Sequence, residues 1–173
     1  MKQILILGLL SSLAFSQIHL PENFKAKFSQ SITSTKNKVI HYSGSVRFSN
    51  KTQFKWSYVK PTKKEVCTDG SEIMVVDHDL EQVSAYYVSE DLDISKVLSK
   101  AKLHSKNIYV AKHKGVSYTI QLDAKKRLHS LAYFDTLDNK VQIAFKSMRY
   151  GKGKLSKKSM LCNYPASYDM IRR

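Results

Sequence analysis

YSGSVRFSNKTQFKWSYVKP, running from Tyr42 to Pro61, is the stretch that decides the fold. It reads as two β-strands around a short polar break, with a large apolar or aromatic side chain at almost every second position. Tyr42, Gly44, Val46 and Phe48 share one face of the first strand. Phe54, Trp56 and Tyr58 share one face of the second, with Lys55, Ser57 and Lys60 opposite. Alternation of period two belongs to a sheet with one dry face and one wet face. Whether a packed core or a ligand occupies the dry side is the functional question.

The flanking sequence continues the pattern. Phe24, Ala26, Phe28 and Ile32 alternate with Lys25, Lys27, Ser29 and Ser31, and Thr35-Lys36-Asn37-Lys38 forms a polar turn. Further strands are predicted over 65–68, 72–77 and 81–88, with Asp69-Gly70 as a tight hairpin signal. The period then changes. Ser89 can cap a helix whose first turn carries Glu90, Asp91 and Asp93, matching the helix dipole. Leu92, Ile94, Val97, Leu98 and Ala101 recur at helical spacing, with Lys96, Lys100 and Lys102 on the other face. Strands resume over 107–113, 116–122, 128–135, 141–148 and 160–163. The reading is a mostly β chain of about eleven antiparallel strands, interrupted by one amphipathic helix. That helix must lay its apolar stripe on something, and the dry face of the sheet is the available surface.

The N-terminus supplies an address. Met1-Lys2-Gln3 is a short basic region, Ile4 to Phe15 is an apolar run, and Ala14-Phe15-Ser16 sets small residues before a cut after Ser16. This pattern predicts a secretory signal peptide over residues 1–16, too short and wrongly flanked for a transmembrane helix. No cysteine follows the cut, so lipid attachment there is excluded. The chain carries 29 Lys+Arg against 14 Asp+Glu, a formal charge of +15. Export argues against nucleic acid as the partner, and an anionic lipid surface or an acidic protein fits better. A solvated basic surface with no partner is the plainer alternative. Cys67 and Cys162 can form a disulfide in an oxidising compartment, or remain as two buried thiols.

Catalytic chemistry is missing. The six histidines are scattered, and His78 between Asp77 and Asp79 is too local for its neighbours to converge on a metal. There is no Gly-rich phosphate loop, nucleophile elbow or buried carboxylate pair. The acidic residues fall mostly in turns and at the predicted helix start. Neither enzyme, metal site nor cofactor is expected. A single curved sheet with one helix has more apolar face than that helix can cover, which leaves a dimer or a cavity suited to lipid chains.

At this point the chain resembles a known family, the periplasmic outer-membrane lipoprotein carriers called LolA. The matching features are Phe24-x-Ala26-x-Phe28-x-Gln30, Gly44, Phe54-Lys55-Trp56 followed by Pro61, and Asp69-Gly70. They continue with Asp77-x-Asp79-Leu80-Glu81-Gln82-Val83 and the terminal Pro165-x-x-x-Asp169-Met170-Ile171. The resemblance implies one domain over 17–173, an incomplete antiparallel β-barrel with a helical lid over an apolar cavity. It also implies a monomeric carrier of acylated lipoproteins, loaded by an inner-membrane ABC transporter and unloaded at an outer-membrane acceptor. The lipid-binding positions are then Val46, Phe48, Phe54, Trp56, Tyr58, Val75, Tyr118, Ile120, Ile143 and Phe145 on the sheet. Leu80 lies in a loop at the mouth, and Leu92, Ile94, Val97 and Leu98 on the lid. Two departures stand out. The family's Arg-Pro latch is replaced by Asn50-Lys51, and its opening helix is reduced to Gln17–Asn23 with Pro21 inside. A half-barrel lipid sensor of envelope stress, or a β-sandwich interaction module with a purely structural aromatic core, are the alternative readings.

Overall fold

A computed structural model of the chain describes residues 18–87 and 94–172. The predicted signal peptide, the predicted helix start with Ser89 as cap and Glu90, Asp91 and Asp93 in its first turn, and Leu92 lie outside these residues. Strands β1 (Asn23–Thr33), β2 (Val39–Ser49), β3 (Gln53–Lys60), β4 (Lys64–Thr68), β5 (Glu72–Asp77) and β6 (Gln82–Tyr87) form one antiparallel meander. After helix α1 (Ile94–Ser99) come β7 (Lys102–Ser105), β8 (Ile108–His113), β9 (Val116–Leu122), β10 (Leu128–Phe134) and β11 (Lys140–Gly151), a second meander. Pairing of β1 with β11 joins the two arms, from Asn23 opposite Gly151 to Thr33 opposite Lys140. A short helix α2 (Lys157–Met160) and strand β12 (Asp169–Arg172) complete the chain. The result is one twelve-stranded open sheet ordered β12-β6-β5-β4-β3-β2-β1-β11-β10-β9-β8-β7, with β12 and β7 as its two edges. It is therefore not a sandwich of two sheets.

The turns explain where the acidic residues went. The carboxylates of Asp69, Asp77, Asp123 and Asp135 each accept backbone N–H groups of the turn that follows. Such local bonds favour a reversal of the chain over its extension. Hydrogen bonds from Ser71 hold the Asp69 carboxyl below its ordinary range, and those from Asn139 do the same for Asp135. Asn37, Asn107 and Asp138 take the left-handed turn conformation that their short polar side chains tolerate.

Three expectations need correction. The predicted strand over 160–163 is not formed: Met160 ends α2, and the last strand is β12, which adds to β6 in parallel. The helix ends at Ser99, so Lys100 and Ala101, expected on it, follow it, and Lys102 opens β7. With β7 and β12 both absent from the sequence reading, the count rises from about eleven strands to twelve. The wet face of β3 is also partly covered, with Lys60 alone of Lys55, Ser57 and Lys60 left exposed. The segment leading into and out of α2 lies across the outer face of β3 and its neighbours, so that Lys55 is only 6% exposed. Its ammonium donates to the Leu161 carbonyl at 2.7 Å and pairs with Glu65 at 2.9 Å. Arg47 donates to the Ser159 carbonyl, the Asn163 amide donates to Glu65, and the Leu155 amide donates to the hydroxyl of fully buried Ser49. Of the two alternatives for the cysteines, the disulfide is the one formed, joining Cys67 on β4 to Cys162.

Candidate functional site

The inner face of the sheet carries an aromatic wall centred on Phe28 of β1. Register sets Phe28 opposite Gly44, Gly44 opposite Tyr58, and Val46 opposite Trp56. The Phe28 ring lies 4.8 Å from Trp56 and 5.1 Å from Tyr58, edge-on to both. Trp56 also reaches Phe145 on β11 at 6.1 Å, and Phe24 stacks on Phe48 at 5.0 Å. Edge-on and offset aromatic packing of this kind is the favoured geometry for π-systems. Gly44 makes the arrangement feasible. A Cβ there would strike the Ser57 carbonyl and come within 2.9 Å of the Phe28 ring. Gly44→Ala should therefore push β2 from β3, costing roughly 1–3 kcal/mol in a urea denaturation curve; an unchanged midpoint would refute the close packing.

Burial holds three tyrosines of this face in their neutral form. Burial, with Tyr133 and Tyr42 nearby, pushes the Tyr58 phenol up to about 12. Burial likewise raises Tyr133 and Tyr118, whose rings pack 5.2 Å apart on β10 and β9. The ion pair on this face, Lys64 with Asp77 at 3.1 Å, sits at the end of the wall, with Lys64 directly opposite Tyr58. An uncharged aromatic surface is what an aliphatic ligand requires.

Helix α1 packs on β8, burying Val97 and Leu98 to 4% and 1% exposure. Among the described residues it leaves Phe54, Trp56, Tyr58 and Val75 on the far arm half-buried. Beside α1, a cleft of about 730 Å³ is lined by Leu98, Ile18, Leu20, Asn50, Lys51 and Lys154, among others. Pockets of about 300–1,000 Å³ are the usual size for small apolar ligands. Among the described residues no helix precedes β1, and the segment leading into it delivers Ile18 and Leu20 to the core beside Leu98. Asn50 and Lys51, at the place of the family's latch, form a left-handed turn between β2 and β3, and the Asn50 amide donates to the Glu22 carbonyl.

The sequence-derived site residues divide into three groups. Val46, Phe48, Trp56, Tyr58, Val97, Leu98, Tyr118, Ile120, Ile143 and Phe145 belong to one apolar cluster. Phe54 and Val75 share the inner face, opposite Phe48 and Val66 respectively, but outside that cluster. Leu80 is 71% exposed in the β5–β6 turn, and Ile94 opens α1. Sequence reasoning left Phe28, the hub of the wall, off its site list, along with Tyr133, Ile18 and Leu20. The alternation of β1 was the signal that could have found Phe28. His78 meets the Tyr168 hydroxyl at 3.3 Å, and His113 is buried with its Nδ1 3.5 Å from the Lys100 ammonium. Among the described residues the set nearest to a metal site is Glu65 with Cys67 and Cys162, whose sulfurs are joined to each other.

Comparison with known proteins gives a consistent picture. Residues 21–136 match the family described as outer membrane lipoprotein carrier protein LolA. The chain is 32% identical over 149 residues to an outer-membrane lipoprotein carrier protein of Campylobacter jejuni, covering 86% of each. It is 30% identical over 166 residues to one of Wolinella succinogenes, covering 96% of this chain and 94% of that one. In fold it is similar to an uncharacterized conserved protein from Thermus thermophilus, with a TM-score of 0.56 at 12% identity over 89% of this chain and 92% of that one.

Proposed function

The chain belongs to the LolA family of outer membrane lipoprotein carriers, and on that footing we propose how it does the family's work. It is a periplasmic, non-catalytic carrier that holds the acyl chains of lipoproteins against the inner face of its open sheet. It takes its cargo from an inner-membrane ABC transporter and releases it to an acceptor at the outer membrane, acting as a monomer. The observation that carries this reading is the uncharged aromatic wall in which Trp56 and Tyr58, packed on buried Phe28, stay half-buried on the arm that α1 does not reach.

Energetics support a partly open site. Transfer of an acyl chain from water is worth about 0.8 kcal/mol per methylene, so one long chain represents on the order of 10 kcal/mol. A pocket that matched a bilayer completely would release nothing. A sheet with two free edges and a short helix over one arm gives a moderate grip, and transfer becomes a near-neutral exchange. Val97 and Leu98 would exchange contacts with the sheet for contacts with the acyl chain.

The test is uptake of a hydrophobic fluorescent probe by the protein without its leader, followed by displacement with a purified acylated lipoprotein. Trp56→Ala should weaken probe binding roughly tenfold or more while leaving the far-ultraviolet circular dichroism unchanged. A protein that takes up no probe, or holds it when lipoprotein is added, is not a carrier. Val97→Glu extends the test to α1, and unchanged uptake would remove that helix from the site.

A further inference from the structure

The positive charge is not evenly spread. On the outer face of the central strands, Lys25 stands directly opposite both Arg47 and Arg149, and Lys27 opposite Lys146. Like charges in direct cross-strand register destabilise a sheet, so stability does not account for them. Arg47 is turned to the Ser159 carbonyl, while Lys25, Lys27, Lys146 and Arg149 are exposed. The row continues into Lys152, Lys154, Lys157 and Lys158, all exposed on the segment after β11. The acid beside it, Glu22, takes the Gly153 amide. Gly153 and Lys154 also line the cleft beside Leu98, so the patch runs up to the cleft's mouth.

We infer that this face docks the protein on an anionic phospholipid surface, with the mouth of the cleft turned toward the headgroups. Its composition favours lipid over an acidic protein. Seven of its eight exposed cations are lysines, hydrated point charges on flexible stems that suit a diffuse layer of phosphates. Specific protein interfaces are instead depleted in lysine and built around arginine and aromatic anchors. The orientation of the mouth rests on the carrier reading; the docking itself does not.

The experiment is co-sedimentation of the cargo-free protein with vesicles of phosphatidylethanolamine containing phosphatidylglycerol, against vesicles of phosphatidylcholine alone. Binding is expected to the anionic vesicles only, and to fall steeply between about 50 and 500 mM salt as the Debye length shortens. Each cation near such a surface contributes about fivefold. The combined variant K25E/K27E/K146E/R149E should therefore bind at least a hundredfold more weakly, with probe uptake and thermal midpoint retained. Absence of wild-type binding at low salt, equal binding to both vesicles, or unchanged binding by the variant overturns the inference. In the first case an acidic protein becomes the partner to seek. Salt dependence is read on the wild-type protein, so a variant that misfolds does not obscure the answer. Probe uptake without vesicle binding leaves the carrier reading standing, and vesicle binding without uptake does the reverse.

Discussion

Lys55→Ala is expected to lower the unfolding free energy by about 3–5 kcal/mol, the usual consequence of removing one partner from a buried ion pair. The Lys55 side chain is 7% exposed and that of Glu65 17%. Without the ammonium, the Leu161 carbonyl loses its donor and the Glu65 carboxylate keeps the Asn163 amide as its close partner. An uncompensated carboxylate beneath the C-terminal segment is the source of the cost. Replacing both partners behaves differently, because no charge is then stranded. Lys55→Met combined with Glu65→Gln should recover a large part of the loss. Urea denaturation of the single and double variants measures this. A loss below about 1 kcal/mol for Lys55→Ala would mean the pair is effectively solvated, as surface pairs are.

The second large effect belongs to the disulfide. Cys67 and Cys162 are 95 residues apart, and closing a loop of that length in the unfolded chain is worth on the order of 4–5 kcal/mol by the chain-entropy model. For a domain of this size that corresponds to a fall in thermal midpoint of roughly 10–20 °C. Calorimetry with and without reductant, and of the Cys67→Ser/Cys162→Ser variant, reads the shift directly. The bond and the Lys55 pair hold the same segment, so combining the variants should cost less than the sum of the two. Additive losses would show that the two fastenings act on separate parts of the molecule.

What was legible in the chain was whatever repeats locally. One dry face writes itself into a strand as alternation, so the inner faces of β1, β2, β3 and β9 could be read correctly, though the covered outer face of β3 could not. The Asp-rich turns announced themselves because a carboxylate that caps a reversal must sit at its start. Residues 152–168 have no such period. Their path is set by Lys55, Arg47 and Cys67, more than ninety positions earlier, and nothing in the spacing of Lys, Ser and Pro there records those partners. The apolar run Met160-Leu161-Cys162 looked like a strand, yet the carbonyls of Ser159 and Leu161 are taken by side chains of β2 and β3. β7 was invisible for the opposite reason: Lys102, Leu103, His104 and Ser105 are all exposed and no face of the strand is dry. The site was read in outline from alternation and helical spacing. Its hub at Phe28 was read as strand rather than as site, because only register reveals that Gly44 makes room for its ring.

The position of β1 between β2 and β11 has a consequence for the order of assembly. The earliest-made strand acquires one neighbour within a few residues and its other only when residues 140–151 have been made. Until then the growing protein carries a bare hydrogen-bonding edge, the kind of surface on which chains stick to one another. Pairing across such a span makes maturation slow compared with that of the hairpins on either side. Lys25 and Lys27 on that waiting edge repel another copy of themselves, and this guards the nascent chain during the interval before β11 arrives.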